Sequence, residues 1–214
     1  MNRPTLRLVV VVTSSTALLD VNKTPSLLRA ISGLREHWPT LPLTVCVSEG
    51  TASDVTQLLE RKRVIHELIV CAVNSPNEIA VALLAESQSY DGLIFHDASR
   101  PFTTSELNER LTTAFMTADA VRPAIPFTET LKVVEPRGVI RETIDRTKVR
   151  RISTPEIIRT SAIDPKGKRS GWFVPLKKSA VTAHVEGNPE GLRINSVSDR
   201  DLLESFLHWK QTFS

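Results

Sequence analysis

The 214-residue chain can bury a sizeable core as one large domain or two small ones, and with 41% hydrophobic and 24% charged residues its composition is that of an ordinary globular protein. A net charge of +3 gives no whole-chain argument for a nucleic-acid binder. No apolar run approaches the roughly 18 residues of a membrane span. Cys46 and Cys71 each lie in an apolar run, the setting of reduced core thiols in a cytoplasmic protein.

The opening MNRPTLRLVVVV lacks a small-residue cleavage site and is expected to be a first strand rather than a secretory leader. Residues 6–12 form a continuous β-branched run, as in a strand buried on both faces of a parallel sheet. Residues 25–37 place Leu27, Leu28, Ile31 and Leu34 at helical spacing. A strand is predicted at 43–47, a helix at 52–62, a strand at 67–71 and a helix at 76–87. A strand at 92–95 and a helix at 104–116 complete the series. This alternation predicts right-handed crossovers and a doubly wound, mostly parallel α/β sheet of Rossmann-like design. Such sheets bind ligands beyond the carboxyl ends of their strands, and in DGLIFHDASRPF that edge falls at Asp97.

The pattern changes after residue 118. Residues 120–127 suit another sheet strand. Residues 131–134, the turn EPRG and residues 139–144 read as a β-hairpin. A hairpin inserted late in a parallel fold has few local partners, so the segment at about 128–150 is expected to reach outward as a dimer arm. Thr154-Pro155-Glu156 predicts the start of a short helix, with Pro at its first position. Residues 164–178 are irregular and basic, with Lys166, Lys168, Arg169, Lys177 and Lys178 around Trp172 and Phe173. The expectation is a solvated loop whose aromatics pack back onto the core; the alternative is a polyanion-binding interaction module. Short strands are predicted at 181–185 and 192–197, then a helix from Ser198 capped by Ser198 and Asp201. Without a repeat or a boundary, the chain reads as a single domain.

The first candidate site residues are Asp97 and Arg100, a carboxylate and a guanidinium three residues apart at the ligand edge, although Arg100 could instead pair with Asp97. His96 reads as a structural histidine orienting the turn. His37, His66, His184 and His208 show no metal-ligand spacing.

HDASRPF resembles the HDAxRP motif of the 2-C-methyl-D-erythritol 4-phosphate cytidylyltransferases. Pro126-Phe127-Thr128-Glu129-Thr130-Leu131-Lys132 is similar to that family's P-x-x-D-T-[hydrophobic]-K segment, with Glu for Asp. Asp145-Arg146 followed by Thr154-Pro155-Glu156 resembles D-R…T-P-Q, and Glu186-Gly187 with Leu192-Arg193-Ile194-Asn195 resembles E-G…[IF]-K-[IV]-T. The resemblance implies cytidylyl transfer from CTP to a sugar phosphate, with Mg²⁺ as the cofactor of an active enzyme. It implies Asp97 as metal ligand and Arg100 facing the sugar phosphate. Arg146 and Thr154 are implied to bind its phosphate from a partner's arm, with Thr130 and Lys132 beside them. Arg193 is implied to contact the sugar phosphate or the nucleotide, and Glu190 is the nearest carboxylate to the family's second aspartate. A homodimer follows from the same resemblance.

The family's glycine-rich loop after the first strand has no counterpart. Val12 is followed by TSSTALLDVNKTPS, without a glycine before Gly33 or an arginine between Arg7 and Arg29. Ser14, Ser15 and Lys23 are the groups left to contact phosphate, and they do not make a nest of backbone amides. The family's acidic T-D-[DE]-[AS] segment is likewise replaced, by KRSGWFVPLKK. At roughly 2.7–4 kcal/mol for each lost oxyanion-type interaction, two losses slow transfer by about 10⁴-fold or more. The expected function is therefore slow cytidylyl transfer, with a catalytically inactive ligand-binding or regulatory dimer as the alternative.

Overall fold

The computed structural model describes residues 4–86, 89–168 and 171–213. Strand β1 (Leu6–Val11) leads through a 3₁₀ turn (Ser15–Leu18) and a two-residue ribbon, β2 (Asp20–Val21) with β3 (Thr24–Pro25), into α1 (Ser26–His37). Next come β4 (Leu43–Val47), α2 (Glu49–Arg61), β5 (Glu67–Val70), α3 (Pro76–Glu86), β6 (Gly92–Asp97) and α4 (Ser105–Phe115). The second half carries β7 (Ala120–Pro126), the hairpin β8 (Leu131–Val134) and β9 (Ile140–Ile144), β10 (Arg150–Ile152) and β11 (Glu156–Arg159). It closes with β12 (Thr182–Glu186) and α5 (Val197–Phe213).

The main sheet runs β5-β4-β1-β6-β11-β7, with β10 and β12 also paired to β7. Strands β5, β4, β1 and β6 are parallel, β12 is parallel to β7, and β11 and β10 are antiparallel insertions. Every residue of β1 is buried, which is why its sequence is a β-branched run rather than an alternation. Leu8 and Val10 face α1, α2 and α4 through Leu27, Leu34, Leu59 and Leu111. Val9 and Val11 face α3 through Ile79 and Leu83 and meet the irregular segment through Val174 and Leu176. Helices on both faces make this a doubly wound α/β fold. The chain winds from β1 out to β5 and then returns across to β6. The switch point therefore lies between the carboxyl ends of β1 and β6, where Val11 pairs with Asp97.

Several local expectations are corrected. Residues from Glu156 form strand β11, not a helix, because Ile157 and Ile158 are both fully buried on opposite faces of the sheet between β6 and β7. Only the two-residue alternation of a strand can do that. The Thr154–Pro155 bond that precedes it is cis. Residues 192–197 form no strand; they cross the strand ends, with the Ile194 N–H donating to the Ser99 carbonyl at 2.8 Å. The cap of α5 is Ser196 with Asp199: the Asp199 N–H donates to Ser196 Oγ at 3.2 Å, and the Asp199 carboxylate accepts the Asn195 N–H at 2.9 Å. The 3₁₀ turn, the β2–β3 ribbon and β10 had no clear sequence signal.

The hairpin β8–β9 forms where expected, around a turn with Gly138 at φ +81. Among the described residues its strands pair only with each other, and Val134, Val139 and Ile140 on it are exposed. Trp172 and Phe173 do pack inward, Phe173 stacking on Phe95 with centroids 5.8 Å apart. Arg169 of the basic stretch lies outside the described residues, as does Ser87 of the predicted helix over 76–87. Among the described residues no helix is long and apolar enough to cross a membrane.

Gly92 opens β6 where a side chain has no room: a Cβ would lie 2.7 Å from Phe115 Cζ and 3.0 Å from Leu6 Cδ2. Gly92→Ala is expected to lower unfolding stability by about 1–3 kcal/mol, read as a lower urea midpoint at unchanged slope. An unmoved midpoint would show that the Phe115 ring shifts freely.

Candidate active site at the carboxyl edge of the sheet

Asp97 ends β6 and is 6% exposed. Its Oδ1 accepts the Ser99 N–H at 2.9 Å and the Thr13 hydroxyl at 3.3 Å. Its Oδ2 accepts Arg193 Nε at 2.6 Å, while Arg193 Nη2 donates to Thr13 Oγ1 at 2.9 Å. The two strands of the switch point and the 191–195 segment thus converge on one carboxylate. Such charge-assisted hydrogen bonds are about twice as strong as neutral ones.

His96, one residue earlier, is fully buried. Its Nε2 lies 2.9 Å from the Arg100 carbonyl and its Nδ1 3.0 Å from the Thr154 hydroxyl. A carbonyl can only accept, so Nε2 carries the proton and Nδ1 accepts from Thr154. Thr154 Oγ1 in turn accepts the Asp97 N–H at 3.3 Å. Burial pushes the imidazole down to about 4, so His96 is a neutral structural link.

Arg100 does not pair with Asp97. Its guanidinium donates to the Gly191 carbonyl and, at 3.4 Å, to the Ile152 carbonyl, clipping the 191–195 segment to β10. Its Nε is buried without an acceptor among the described residues, and burial lowers its proton affinity from the ordinary range.

Asp97, Arg100, Thr154 and Arg193 line a cavity of about 310 Å³ together with Trp172 and Phe173. Two further charged residues enter it, Arg122 from β7 and Glu156 from β11. The cavity lining carries three guanidinium groups against two carboxylates, so it favours an anion.

The other predicted site residues are elsewhere. Ser14 and Ser15 sit at the 3₁₀ turn, where Ser14 Oγ accepts the Thr16 N–H at 3.2 Å, and Lys23 is exposed at the tip of the β2–β3 ribbon. Thr130, Lys132 and Arg146 lie exposed on or beside the hairpin; Lys132 donates to Thr143 at 2.6 Å and Arg146 to the Thr128 carbonyl. Glu190 is half-buried in the turn before Gly191. None of these lines the 310 Å³ cavity. Asp97, Arg100, Thr154 and Arg193 are brought together; the arm residues and the 14–23 residues are not.

Sequence reasoning missed Arg122 and the role of Glu156. Arg122 is 6% exposed, and its guanidinium lies 3.4 Å from the centroid of the Trp172 ring. Arg122 Nε stands 3.6 Å from Glu156 Oε2, and Glu156 Oε1 accepts the Phe173 N–H at 2.6 Å. Burial pushes Glu156 up to about 7, against the opposing pull of Arg122 and the Phe173 N–H. The available signals were an arginine inside the apolar run 120–127 and a Glu where the resemblance implies Gln.

An open α/β sheet with its site at the switch point and an inserted hairpin defines a nucleotidyltransferase-like domain. The model of the IspD family, 2-C-methyl-D-erythritol 4-phosphate cytidylyltransferase, matches residues 10–202, and the chain belongs to that family. A 2-C-methyl-D-erythritol 4-phosphate cytidylyltransferase of Rhodococcus jostii (strain RHA1) is 30% identical over 142 residues, 65% of this chain and 61% of that protein. The matched region thus spans less than two thirds of that relative's length. The fold is also that of the 4-diphosphocytidyl-2C-methyl-D-erythritol synthase of Anaerococcus prevotii DSM 20548, with a TM-score of 0.78 at 15% identity, covering 97% of this chain and 100% of that one. The 2-C-methyl-D-erythritol 4-phosphate cytidylyltransferase of Thermus thermophilus gives 0.74 at 20% identity, covering 93% and 98%.

The two buried titrating groups have opposite effects on stability. Glu156 holds its proton more tightly folded than unfolded, so its contribution is present below about 4.5 and lost as the pH rises through about 7. His96 holds its proton less tightly when folded, so its contribution is present above 6.5 and lost as the pH falls toward about 4. Glu156→Gln removes the first effect alone. The stability of the variant relative to wild type should rise by about 3 kcal/mol between pH 4.5 and pH 7. Parallel urea-stability curves for the two proteins would contradict the burial of an ionising Glu156.

Proposed function

We propose that this chain transfers a cytidylyl group from CTP to a sugar phosphate, 2-C-methyl-D-erythritol 4-phosphate, as a slow member of its family. The observation that carries the reading is Asp97 at the switch point with Arg100, Thr154 and Arg193 gathered in one cavity, in a chain of this family. In the reaction a phosphate oxygen of the sugar phosphate forms a bond to the α-phosphorus of CTP, making a diphosphate link. The bond from that phosphorus to the oxygen bridging the α- and β-phosphates breaks, and pyrophosphate leaves with the electron pair; the attacking phosphate oxygen is already deprotonated, so no proton has to be removed. Two polyanions must meet for this, so the work of the site is electrostatic. Arg193 and Arg100 lower the repulsion; Thr154 and neutral His96 hold the Asp97 backbone in place.

Members of this family are typically metal-dependent, and Asp97 is the side chain the resemblance assigns to Mg²⁺. As arranged, its oxygens are engaged by Arg193, Ser99 and Thr13, and the other cavity carboxylate, Glu156, by Arg122 and Phe173. Among the described residues no three His, Cys, Asp or Glu side chains gather as a metal site. This donor set does not fit a metal ion unless Arg193 withdraws.

The same engagement of Asp97 favours the second reading, a ligand-binding family member without turnover. In either case the exposed apolar residues of the hairpin support a homodimer through that arm, and the reading places the protein in the cytoplasm.

Pyrophosphate release from CTP, Mg²⁺ and 2-C-methyl-D-erythritol 4-phosphate is expected in wild type and absent in folded Asp97→Ala. Release equal in both proteins, or in neither, would remove the transferase reading.

A further inference from the structure

Arg122 is an unusual residue for its place. It lies in β7 beside Ala120 and Val121, both fully buried, and is itself 6% exposed. A buried cation is tolerated when it is paired and hydrogen-bonded. Among the described residues Nε and Nη2 have no hydrogen-bond acceptor, and the nearby carboxylate of Glu156 stands at 3.6 Å, beyond hydrogen-bond reach. Trp172 covers one face of the guanidinium and fixes its plane, leaving the N–H edge for a ligand. Arg100, lining the same cavity, also has a buried Nε without an acceptor.

In the turn after β1 two hydroxyls are already engaged. Ser14 Oγ is spent on capping Thr16, and the Thr16 hydroxyl donates to the Ile194 carbonyl at 2.8 Å and lies 3.2 Å from Ser99 Oγ. A phosphorylated ligand entering the cavity meets Arg122 from β7, with Arg100 and Arg193 in the same lining. We propose that Arg122, clamped under Trp172, is the phosphoryl-binding group of this cavity, with the Glu156 carboxylate holding its place until a phosphate displaces it. A planar guanidinium fork suits phosphate oxygens, and the excess of guanidinium over carboxylate groups in the cavity suits an anion. The inference rests on the reading of this cavity as the site for phosphorylated substrates, and it concerns binding rather than turnover.

The test is calorimetric titration of the full chain with inorganic phosphate at about pH 8, where Glu156 is ionised, without CTP or metal. Wild type is expected to bind. Glu156→Gln, which removes the competing carboxylate, is expected to bind several-fold more tightly. The paired variant Arg122→Met/Glu156→Gln exchanges both charges for neutral side chains of similar length, so no lone charge remains buried; circular dichroism checks its fold. Its affinity should fall about tenfold or more, the worth of one charge-assisted hydrogen bond or more. A merely structural Arg122 leaves phosphate affinity unchanged in the folded paired variant. That result, unchanged or weakened binding in Glu156→Gln, or no phosphate binding by wild type would overturn the proposal. Arg122-dependent binding in a protein that releases no pyrophosphate would sink the transferase reading and leave this one standing.

Discussion

The carboxylate of Asp97 is the point on which the ligand edge depends. It sits where β1 and β6 diverge, the one place in a doubly wound sheet where strand ends leave a crevice instead of being crossed by a helix. Residues that follow β1 and β6, and the 191–195 segment, close on it: Thr13, Ser99 and Arg193 donate to the carboxylate oxygens, and the Thr154 hydroxyl accepts the Asp97 backbone N–H. An aspartate this buried would be costly alone, and the Arg193 ion pair offsets much of that cost. The same ion pair ties the late 191–195 segment to a strand formed some ninety residues earlier, so chain topology and site electrostatics are one arrangement.

The cavity holds more charge than a structural core would. Arg122 and Glu156 come from neighbouring strands, meet beneath the Trp172–Phe173 roof, and are both less than a tenth exposed. Replacing such a pair by apolar residues is often neutral or stabilising, so its presence is better explained by a ligand than by stability. The roof itself comes from the segment that the resemblance sets in place of the family's acidic stretch. Loss of that stretch and of the glycine-rich loop would leave the crevice short of phosphate contacts on one side. Guanidinium groups on the other side give it a different set.

Much of this was legible in the sequence. The β-branched run of β1, the helical spacing of Leu27, Ile31 and Leu34 and the turn before Gly138 carry their structures locally, because burial on two faces, amphipathic packing and a positive φ each leave a mark on composition. HDASRP carried the site edge. The failures share a cause: residues 156–159 read as a helix start because Pro155 follows a hydroxyl, and only the distant strands β6 and β7 decide that Ile157 and Ile158 lie between them. Arg122 escaped notice for the same reason. Its partners Glu156 and Trp172 are 34 and 50 positions away, and only the sheet brings them together.

The most direct test of which side of the crevice receives phosphate is a crystal structure of the protein grown with CTP. Phosphorus density between Arg122 and Arg100 beneath Trp172, with the residues after β1 still folded as a 3₁₀ turn, is the expected result. Density wrapped by a refolded 13–25 segment, in contact with Ser14, Ser15 and Lys23 and remote from Arg122, would contradict it.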